Sequence, residues 1–494
     1  MGINDRLNQL NLKRALSYLK RNGVGKTYYK VMERLDRDND ESDYTEYVLN
    51  SRLSEEELER QRRKNFFHNY RFSFLVPAYN TDPVLLRQMI DSVMAQTYPH
   101  WELCIADGSD TDTVKKTVAG YCSGLKEEVR SKIRYQRLNQ NRGIAGNSNG
   151  ALVMATGDYV GLLDHDDILT PDALFRIMEV LDKGMERDGN IYSNRYKAVY
   201  SDEDKTDLEC TRFFDHHRKP DFDIDLLRSN NYICHLFVVK TQTARRAGGF
   251  RSEFNGAQDH DFIFRCLEQL EPSEIYHIPR VLYHWRATPQ STAENPDNKL
   301  YAYEAGKRAV RSHLERLKLK AAVTDTSHLG FYRVRYEVKD PRVKIMTKEE
   351  WDHLTGEVFE GIEEDYIMIL GRDIEPLGGD YIEELAGMLS RSEVGAAGGK
   401  VFDRHGRIDS AGYMYDEEGK LKPVYRGMNG HYSGYLHRAS IQHKVDGLPG
   451  DCMMVKKEAV NFLDKPVLSD KYITVYDPFA KFKRKGRNKP EKRK

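Results

Sequence analysis

The sequence lacks the features that mark several common classes of protein. Its 77 Lys and Arg residues are matched by 77 Asp and Glu residues, so no excess of positive charge favours a nucleic-acid partner. Its first residues are polar and charged, unlike a signal peptide, and no run approaches the ~18 apolar residues that a membrane-spanning helix needs. The six cysteines include no C-x-x-C pair, which fits a reducing compartment. We therefore expect a cytoplasmic protein with no nucleic-acid partner.

Two common phosphate-binding motifs are missing as well. Gly25-Lys26-Thr27 resembles the end of a P-loop, but Lys20 stands where the first glycine of that motif would be. The first apolar strand leads into residues 77–80, Pro-Ala-Tyr-Asn, instead of G-x-G-x-x-G. This argues against a nicotinamide enzyme, and the same segment has no Gly-rich basic loop for a nucleotidyltransferase. A nucleotide would have to be held by other groups.

What the chain does contain is an alternation of strands and helices. Residues 1–66 predict a helical extension with apolar and basic residues interleaved, which either lies on an anionic membrane or packs on the next domain. From Phe72 onward, apolar strands alternate with helices, a pattern typical of a parallel sheet. Because ligands bind at the carboxyl ends of such strands, the loops after Val76, Ala106 and Leu163 are expected to meet at one crevice.

An acidic motif, residues 164–166 (Asp-His-Asp), follows directly on the apolar strand 159–163. Carboxylate oxygens at the mouth of a sheet are suitable ligands for Mg²⁺ or Mn²⁺, and such an ion can bridge two phosphate oxygens. The motif therefore predicts a metal-held phosphate group at this edge of the sheet.

Five motifs together, in this order, resemble family-two glycosyltransferases, which have the GT-A fold. The motifs are Val76–Asn80, Ala106–Ser109, Asn141–Gly143, Asp164–Asp166 and Gln258–Asp261. The resemblance covers about residues 70–290, and its type is the tandem-module enzyme of bacterial surface polysaccharide synthesis. It implies an α/β protein with a Rossmann-like mixed sheet flanked by helices. It also implies an inverting glycosyltransferase that depends on Mg²⁺ or Mn²⁺.

The resemblance assigns a donor site for a nucleotide-diphosphate sugar, with a UDP or TDP carrier. The residues that would hold its base and ribose are Pro77, Ala78, Tyr79, Asn80 and Asp107. Ala106 stands where the family often has a second acid, so base recognition would rest on Asp107 alone. A buried acceptor without its donor costs ~1 to 3 kcal/mol, which would discriminate between bases. Two structural alternatives stay open: Asp107 as a helix N-cap or turn residue, and Asn80 in an Asx turn.

By the same resemblance, three residues would hold the metal. Asp166 would be a direct ligand, Asp164 would face the ribose or the metal, and His284 would be a third ligand. A His284 that is simply packed in the core is the alternative. Asp167, next in line, is expected to cap the following helix.

Two arginines would contact the phosphate oxygens, which suit a forked donor. Arg142 lies at the start of the helix that precedes the strand 159–163, and Arg286 lies two residues after His284. A surface role for Arg142 is the alternative.

Gln258-Asp259 matches the Glu-Asp pair of the family, which makes Asp259 the candidate general base. It would take the proton of the acceptor hydroxyl as that oxygen attacks the anomeric carbon, a contribution typically worth ~10² to 10⁴-fold. The alternative is that Asp259 only caps a helix.

The acceptor side carries weaker signals. Residues 201–205 resemble a family loop near the junction of donor and acceptor, with a solvated acidic turn as the alternative, and residues 231–236 are expected to form an acceptor-side strand. The acceptor-site candidates are Asp202, Asp204, Asn231 and His235.

A second, shortened module is predicted after the first. Residues 341–346 and 365–370 resemble two strands of the first module, but the second of them is followed by Gly371-Arg372-Asp373, where Arg372 would repel a cation. Little is left between these strands for binding a base. We infer a degenerate, truncated GT-A-like module without catalysis, and acceptor binding, homo-oligomerisation and packing stay open as its roles.

The predicted organisation is therefore a helical extension (1–66), a GT-A domain (67–318), a shortened module (319–480) and a basic tail (481–494). The tail holds nine Lys or Arg residues, each worth ~1 kcal/mol near anionic lipid. It predicts either peripheral contact with the inner face of the cell membrane or a solubilising segment.

The expected function is transfer of a sugar from a nucleotide-diphosphate sugar to a hydroxyl of a polysaccharide or a lipid-linked oligosaccharide. A catalytically inactive glycan-binding or scaffold protein of a polysaccharide assembly complex is the alternative. It is disfavoured because the first module keeps its metal, base and phosphate candidates together.

Overall fold

The computed structural model describes residues 43–188, 191–287, 300–462 and 465–486. The predictions for residues 1–42 and for the tail after residue 486 lie outside the described residues. The chain divides into two compact units. The N-terminal unit contains the described residues up to Phe222 together with Asn231–His313, and the C-terminal unit contains Asp223–Asn230 and the described residues from Leu314 onward. In the described ranges, no helix is long and apolar enough to cross a membrane.

The N-terminal unit is built on a mixed sheet of nine strands. The strands of this unit are β1 (Phe72–Ala78), β2 (Trp101–Asp107), β3 (Ile133–Arg137), β4 (Tyr159–Leu162), β5 (Ile168–Leu169), β6 (Met185–Asp188), β7 (Ile191–Asn194), β8 (Ala198–Thr206), β9 (Phe213–His217), β10 (Phe237–Lys240) and β11 (Ile275–Arg286). The order is β3-β2-β1-β4-β10-β8-β11-β5, β9 lies beside β8, and β6 and β7 form a separate pair. β1 to β4 are parallel, β10 is antiparallel to β4 and β8, and β11 is parallel to β8. This mixed α/β sheet confirms the predicted fold class.

Helices connect and flank these strands. They are residues 43–50, Glu55–Arg62, Pro83–Met94, Thr113–Cys122, Glu127–Arg130, Gly143–Met154, Ala173–Lys183, Thr241–Arg246, Gln258–Leu267 and Leu300–Arg316. Pro83–Met94 illustrates the local chemistry: the Asp82 side chain accepts hydrogen bonds from the first backbone N–H groups, and proline occupies the first turn. Its apolar residues recur at helical spacing and pack into the core. They are Leu86, Met89, Ile90 and Val93.

The C-terminal unit is built on a second mixed sheet, of eight strands. The strands of this unit are β12 (Ala321–Asp325), β13 (Tyr332–Tyr336), β14 (Val343–Met346), β15 (Tyr366–Leu370), β16 (Ile374–Pro376), β17 (Val394–Phe402), β18 (Ile408–Ser410), β19 (Tyr413–Tyr415), β20 (Leu421–Pro423), β21 (His443–Val445), β22 (Cys452–Lys456), β23 (Val460–Phe462), β24 (Pro466–Leu468) and β25 (Ile473–Arg484). The order is β14-β15-β22-β17-β25-β16, with β18 beside β17 and β21 beside β25. Its α-helices are Ile224–Ser229, Lys348–Asp352, Gly356–Glu360 and Tyr381–Leu389.

The two large sheets share one topology. The order β14-β15-β22-β17-β25-β16 repeats β1-β4-β10-β8-β11-β5 strand by strand. The first and fourth pairings are parallel in both sheets, and the other three are antiparallel. β2 and β3 have no counterpart, because residues 347–365, all of them described, contain two short helices and no strand. The C-terminal sheet therefore repeats the N-terminal one without strands equivalent to β2 and β3.

Two local predictions are wrong. Residues 201–205, expected in a loop or turn, lie in the buried strand β8, because their carboxylates are paired inside the unit. Residues 231–236, expected as a strand, form a loop before β10. There the carbonyls of Ile233 and His235 accept hydrogen bonds from the buried Lys219 ammonium group instead of from a neighbouring strand. In addition, β25 continues to Arg484, beyond residue 481 where the basic tail was expected to begin.

Candidate active site

An open cleft of about 1180 Å³ lies at the carboxyl ends of β1 and β4 in the N-terminal unit. Its walls also include the starts of the helices Pro83–Met94 and Gln258–Leu267 and the loop before β10. This is where the sheet topology predicts a ligand. The predicted site residues that line the cleft are Pro77, Tyr79, Asn80, Asp164, Asp166, His235 and Asp259.

The loop after β1 is held by the loop after β2. Asn80 has a φ of 48°, a conformation that Asn tolerates better than most residues. Its backbone N–H donates to Ser109 Oγ at 2.8 Å, and its side-chain oxygen accepts from the N–H of Asp110 at 3.2 Å. The Tyr79 hydroxyl donates to Asp110 Oδ2 at 2.6 Å. Asn80 thus bridges two loops and fixes this rim of the cleft.

Asp107 is fully buried at the end of β2, where it pairs with Ala78 of β1. Its carboxylate accepts from the Tyr135 hydroxyl at 2.6 Å, from Arg137 Nη1 at 3.1 Å and from the N–H of Ser109 at 2.8 Å. Asp107 is therefore set back from the cleft lining and anchors the loop behind it. Arg137 was missed by the sequence reasoning, although its alternation with Tyr135 along β3 places both on one face of that strand.

Asp164 and Asp166 lie at the floor of the cleft, directly after β4. Their side chains are 35% and 26% exposed. Desolvation raises the pKa of Asp164, the neighbouring His235 opposes this shift, and the charge of Asp166 adds to it. His235 Nε2 lies 3.7 Å from Asp164 Oδ2. The floor is thus a local concentration of negative charge that a cation would neutralise.

His284 is held on β11 by a buried carboxylate. Its Nδ1 lies 2.5 Å from Asp204 Oδ1, and the other oxygen of Asp204 accepts from the Tyr44 hydroxyl at 2.7 Å. His284 pairs across the sheet with Ile168, two residues after Asp166. Among the described residues, however, no three His, Cys, Asp or Glu side chains come close enough to hold a metal. The structure therefore brings the two cleft carboxylates together without His284.

Asp167 does not cap the following helix, so that prediction is wrong. The helix Ala173–Lys183 begins after Asp172. Asp167 is buried and accepts from the Tyr283 hydroxyl at 2.5 Å and from the N–H of Arg286 at 2.8 Å. Burial and the nearby acids raise its pKa well above the usual range. Asp167 thus joins the loop after Asp166 to the end of β11.

Arg286, the last residue of β11, is 1% exposed. Its Nη2 lies 3.6 Å from Cys210 Sγ. Within the described residues, Nε and Nη1 have no hydrogen-bond partner. Burying a guanidinium without partners is costly, so an anionic group placed against it would be strongly stabilising.

Asp259 is the second residue of the helix Gln258–Leu267. The N-cap of that helix is Ala257, so Asp259 is not the cap. Its Oδ2 accepts from Asn231 Nδ2 at 2.8 Å. Asp261, two residues on, is buried and paired with two arginines. Asp259 is thus the carboxylate of this helix that is available to the cleft.

The other acceptor candidates separate into two groups. His235 lines the cleft and stacks on Tyr283, with ring centroids 4.6 Å apart. Its Nδ1 is buried without a hydrogen-bond partner in the part of the chain that is described. Asp202 and Asp204 are buried in β8 and set back from the cleft lining, and Asp202 Oδ1 lies 2.8 Å from His277 Nε2. The structure therefore supports a cleft position for the histidine but not for the two acids.

Arg142 is exposed at the N-cap of the helix Gly143–Met154 and is set back from the cleft lining. Several other lining residues were missed by the sequence reasoning, among them Thr81, Gln88, Cys234, Phe250 and Trp285. Trp285 lies between two predicted site residues and could have been chosen with them. The rest carry no motif, and only the fold brings them to the cleft.

Comparison with known proteins gives a family match over the part of the N-terminal unit that contains the parallel strands β1 to β4. Residues 73–238 match the family described as Glycosyl transferase family 2. An uncharacterized protein, y4gI, of Sinorhizobium fredii is 31% identical over 78% of this chain and 48% of its own length. The O-antigen biosynthesis protein RfbC of Myxococcus xanthus is 27% identical over 79% of this chain and 34% of its own length. The chain thus spans a third to a half of these relatives.

Among solved structures, residues of Staphylococcus aureus TarS 1–349 superpose with a TM-score of 0.35 at 16% identity, covering 50% of this chain and 71% of that one. This likeness is too low to assign a function. The family match contains the strands that carry Pro77, Asp107, Asp164 and Asp166 and ends before Asp259. The N-terminal unit therefore contains a glycosyltransferase domain of family 2.

Proposed function

We propose that the N-terminal unit is an inverting, divalent-metal-dependent glycosyltransferase. It transfers a sugar from a nucleotide-diphosphate sugar to a hydroxyl of a polysaccharide or a lipid-linked oligosaccharide. The observation that carries this proposal is that Asp164 and Asp166 share one cleft with Asp259. A cation-binding floor and a half-buried carboxylate on opposite elements are what a single displacement at a sugar carbon requires.

The residues at the floor fit a divalent metal. Two partly exposed carboxylates supply the hard oxygen ligands that Mg²⁺ and Mn²⁺ prefer. Burial raises the pKa of Asp164 and the charge of Asp166 adds to this shift, and a cation would balance that charge. Asp166 and Asp164 would hold the ion. His284, whose Nδ1 is fixed by Asp204, would join them only after a local rearrangement. When bound, the ion would neutralise the diphosphate of the donor.

The chemical step follows from the position of Asp259. An acceptor hydroxyl in the cleft loses its proton to the Asp259 carboxylate while its oxygen forms a bond to the anomeric carbon. The bond from that carbon to the diphosphate oxygen breaks, and the nucleoside diphosphate leaves with the electron pair. Because one displacement occurs on the opposite face, the anomeric configuration inverts.

Arg286 is the candidate for the leaving diphosphate. Its buried guanidinium has two nitrogen atoms, Nε and Nη1, without partners among the described residues. A forked donor suits phosphoryl oxygens. Arg142, exposed at a helix start, would contribute a weaker, solvent-screened attraction.

The base and ribose would lie against Pro77–Asn80, with Asp107 behind them. Three donors already occupy Asp107, from Tyr135, Arg137 and Ser109, and a carboxylate has about four acceptor sites. Because Asp107 is fully buried behind the cleft lining, a uracil or thymine imide would use its remaining capacity only if the base displaces part of that lining. The proposed donor is UDP- or TDP-linked.

The acceptor is proposed to be a surface glycan or its lipid-linked precursor, made at the cytoplasmic face of the membrane. One relative is named for O-antigen biosynthesis and another, from Escherichia coli, is named chondroitin synthase. Both names describe those proteins, and the shared family domain is what supports the extension to this chain.

The C-terminal unit is proposed to be a degenerate, truncated GT-A-like module. It repeats the strand order of the N-terminal sheet without β2 and β3. Position for position from the β4 and β15 pairings, Gly371 and Asp373 replace Asp164 and Asp166. One of the two cleft carboxylates is therefore missing, which supports a role other than catalysis.

The proposal is tested with a panel of nucleotide sugars, measuring transfer or hydrolysis by the full chain with and without Mn²⁺. Asp259→Asn is expected to retain donor binding, measured by calorimetry, and to lose transfer by about 10² to 10⁴-fold. Wild-type turnover in Asp259→Asn would refute the base assignment. Absence of binding to every donor would instead favour a catalytically inactive glycan-binding scaffold.

A further inference from the structure

We propose that Asn231 and Cys234 are positioning residues that select which oxygen of Asp259 receives the acceptor proton. The inference rests on the proposed function, because it takes Asp259 as the general base. It replaces the prediction that Asn231 contacts the acceptor sugar.

The side-chain amide of Asn231 has a defined orientation. Its Nδ2 donates to Asp259 Oδ2 at 2.8 Å, and its Oδ1 accepts from the backbone N–H of Cys234 at 3.4 Å. Rotating the amide by 180° would put an oxygen against the carboxylate and an NH₂ group against an N–H donor, losing both contacts. The donor end of Asn231 therefore faces Asp259.

Cys234 adds a second contact on the same oxygen. Its Sγ lies 3.6 Å from Asp259 Oδ2. Burial raises the pKa of the Cys234 thiol well above its usual range, so the group stays S–H at neutral pH and acts as a weak donor. Among the described residues, the side-chain hydrogen bonds to Asp259 thus fall on Oδ2, which leaves Oδ1 for the acceptor proton.

The loop that carries these two residues is fixed from beneath. The N–H of His235 donates to Glu203 Oε2 at 3.1 Å. The buried Lys219 ammonium group donates to the carbonyls of Ile233, at 2.7 Å, and His235. Cys234 itself has a φ of 31°, which places it in the region that non-glycine residues rarely adopt. These contacts hold the loop that places Asn231 beside the helix bearing Asp259.

Positioning of this kind has a distinct chemical effect. Hydrogen bonds to the ionised form of a carboxylate favour that form and fix its plane. The acceptor proton then moves to Oδ1 as the new C–O bond forms and the bond to the diphosphate breaks. Asn231 would touch neither the sugar nor the leaving group.

The test compares Asn231→Ala and Cys234→Ala with a matched control, Asn230→Ala, in the full chain. Asn230 is the neighbouring residue, but its side chain donates to the Gly330 carbonyl in the C-terminal unit. For Asn231→Ala we expect kcat to fall about 10- to 100-fold with the acceptor KM unchanged, and the acid limb of the pH–rate profile to move to higher pH. For Cys234→Ala we expect kcat and the acid limb of the pH–rate profile to change in the same directions but by less. For the control, Asn230→Ala, we expect no change in kcat or in the profile.

Three results would overturn the proposal. A raised acceptor KM with an unchanged kcat in Asn231→Ala would make Asn231 an acceptor contact. A fall in kcat without a shift of the pH–rate profile would make its role structural only. If Asn231→Ala does not fold, the test uses Cys234→Ala and Asn231→Asp instead. In Asn231→Asp, a second carboxylate beside Asp259 must move the acid limb of the pH–rate profile still further to higher pH. An unshifted profile in both variants would refute the inference. These outcomes are separate from Asp259→Asn, whose loss of transfer upholds the proposed function even if Asn231 proves neutral.

Discussion

The two units fold on the same strand order but differ in what surrounds the arginine that ends the last long strand of each. β11 and β25 each run for 12 residues and each end in an arginine, Arg286 and Arg484. Two nitrogens of Arg286 lack partners in the described chain. Arg484, by contrast, donates from Nη1 and Nη2 to the two oxygens of Asp451, at 2.8 and 3.1 Å, and from Nε to Asp409 at 2.6 Å.

This difference shows that the same strand order can carry an arginine with or without internal partners. An arginine at the end of the last long strand is compatible with the sheet whether or not it meets a ligand. In the C-terminal unit, internal carboxylates of Asp451 and Asp409 satisfy the guanidinium and raise its pKa further, so an external phosphate would have to displace them. In the N-terminal unit, Nε and Nη1 of Arg286 have no hydrogen-bond partner among the described residues. The fold thus provides the position, and the neighbouring residues decide whether it binds anything.

The largest expected effect contrasts Asp166→Ala with Asp373→Ala. Each acid lies seven residues after the tyrosine that pairs with the first strand of its sheet, Tyr159 or Tyr366. Asp166→Ala should abolish Mn²⁺-dependent binding of UDP or TDP and lower transfer by at least about 10²-fold, because a hard-oxygen ligand is lost. Asp373→Ala should leave both unchanged. Calorimetry with and without Mn²⁺ measures this, and equal binding by the two variants would break the comparison.

The two arginines should separate activity from stability. Arg286→Ala should lower kcat by about 10² to 10³-fold, as for other groups that stabilise developing charge, with little loss of stability because its guanidinium has few internal partners. Arg484→Ala should leave transfer unchanged and destabilise the C-terminal unit by about 1 to 3 kcal/mol, since Asp451 and Asp409 lose their partner at a partly exposed site. Steady-state kinetics and hydrogen exchange resolved by segment check both, and loss of transfer in Arg484→Ala would contradict the expected division.

The two units should also respond to pH in opposite directions. Burial, with Glu384 nearby, raises the pKa of Asp477 from 3.8 to about 7. The folded C-terminal unit therefore binds a proton that the unfolded chain releases, and its stability should fall as pH rises from about 4 through about 7.

In the N-terminal unit, by contrast, the pKa of Glu203 is lowered to about 2, because burial, which would raise it, is outweighed by Lys219 and His217. The contribution of Glu203 to the stability of the unit is complete above about pH 4.5 and is lost as the pH falls towards 2. Asp477→Asn should remove up to about 3 kcal/mol of the fall between pH 5 and pH 8. Urea unfolding at pH 5 and pH 8, followed by segment-resolved hydrogen exchange, measures this. If the stability of Asp477→Asn changed with pH as in the wild type, another group would be responsible for the pH dependence.

The smallest expected effect concerns Arg142. Because its side chain is exposed and set back from the cleft lining, Arg142→Ala should change the donor KM by less than about threefold, which is below 1 kcal/mol. Donor titration at low and moderate salt tests this. A large, salt-resistant rise in KM would show that the arginine reaches the phosphates in the complex.

The sequence predicted the strands of the N-terminal unit well, because runs such as β1 and β2 are apolar and buried along their whole length. It placed Asp164 and Asp166 correctly after β4, since motifs directly after strands mark the carboxyl edge of a sheet. It indicated Asp259 instead through the resemblance of Gln258-Asp259 to a family motif. It misplaced residues 201–205 because an acidic run looks solvated unless its internal partners are known. His277 and His284, which pair with Asp202 and Asp204, lie more than 70 residues away in the chain.

The sequence by itself indicated the fold class and the alternation of the first strands and helices, because these depend on local apolar periodicity and on motif spacing. The tertiary structure alone decided which polar groups are free and which are satisfied. Within the described ranges, it left two nitrogens of Arg286 without partners, paired Arg484 with carboxylates, and turned Asn231 towards Asp259. Such pairings join residues from distant parts of the chain, so their energies are fixed only when folding brings them within hydrogen-bond reach.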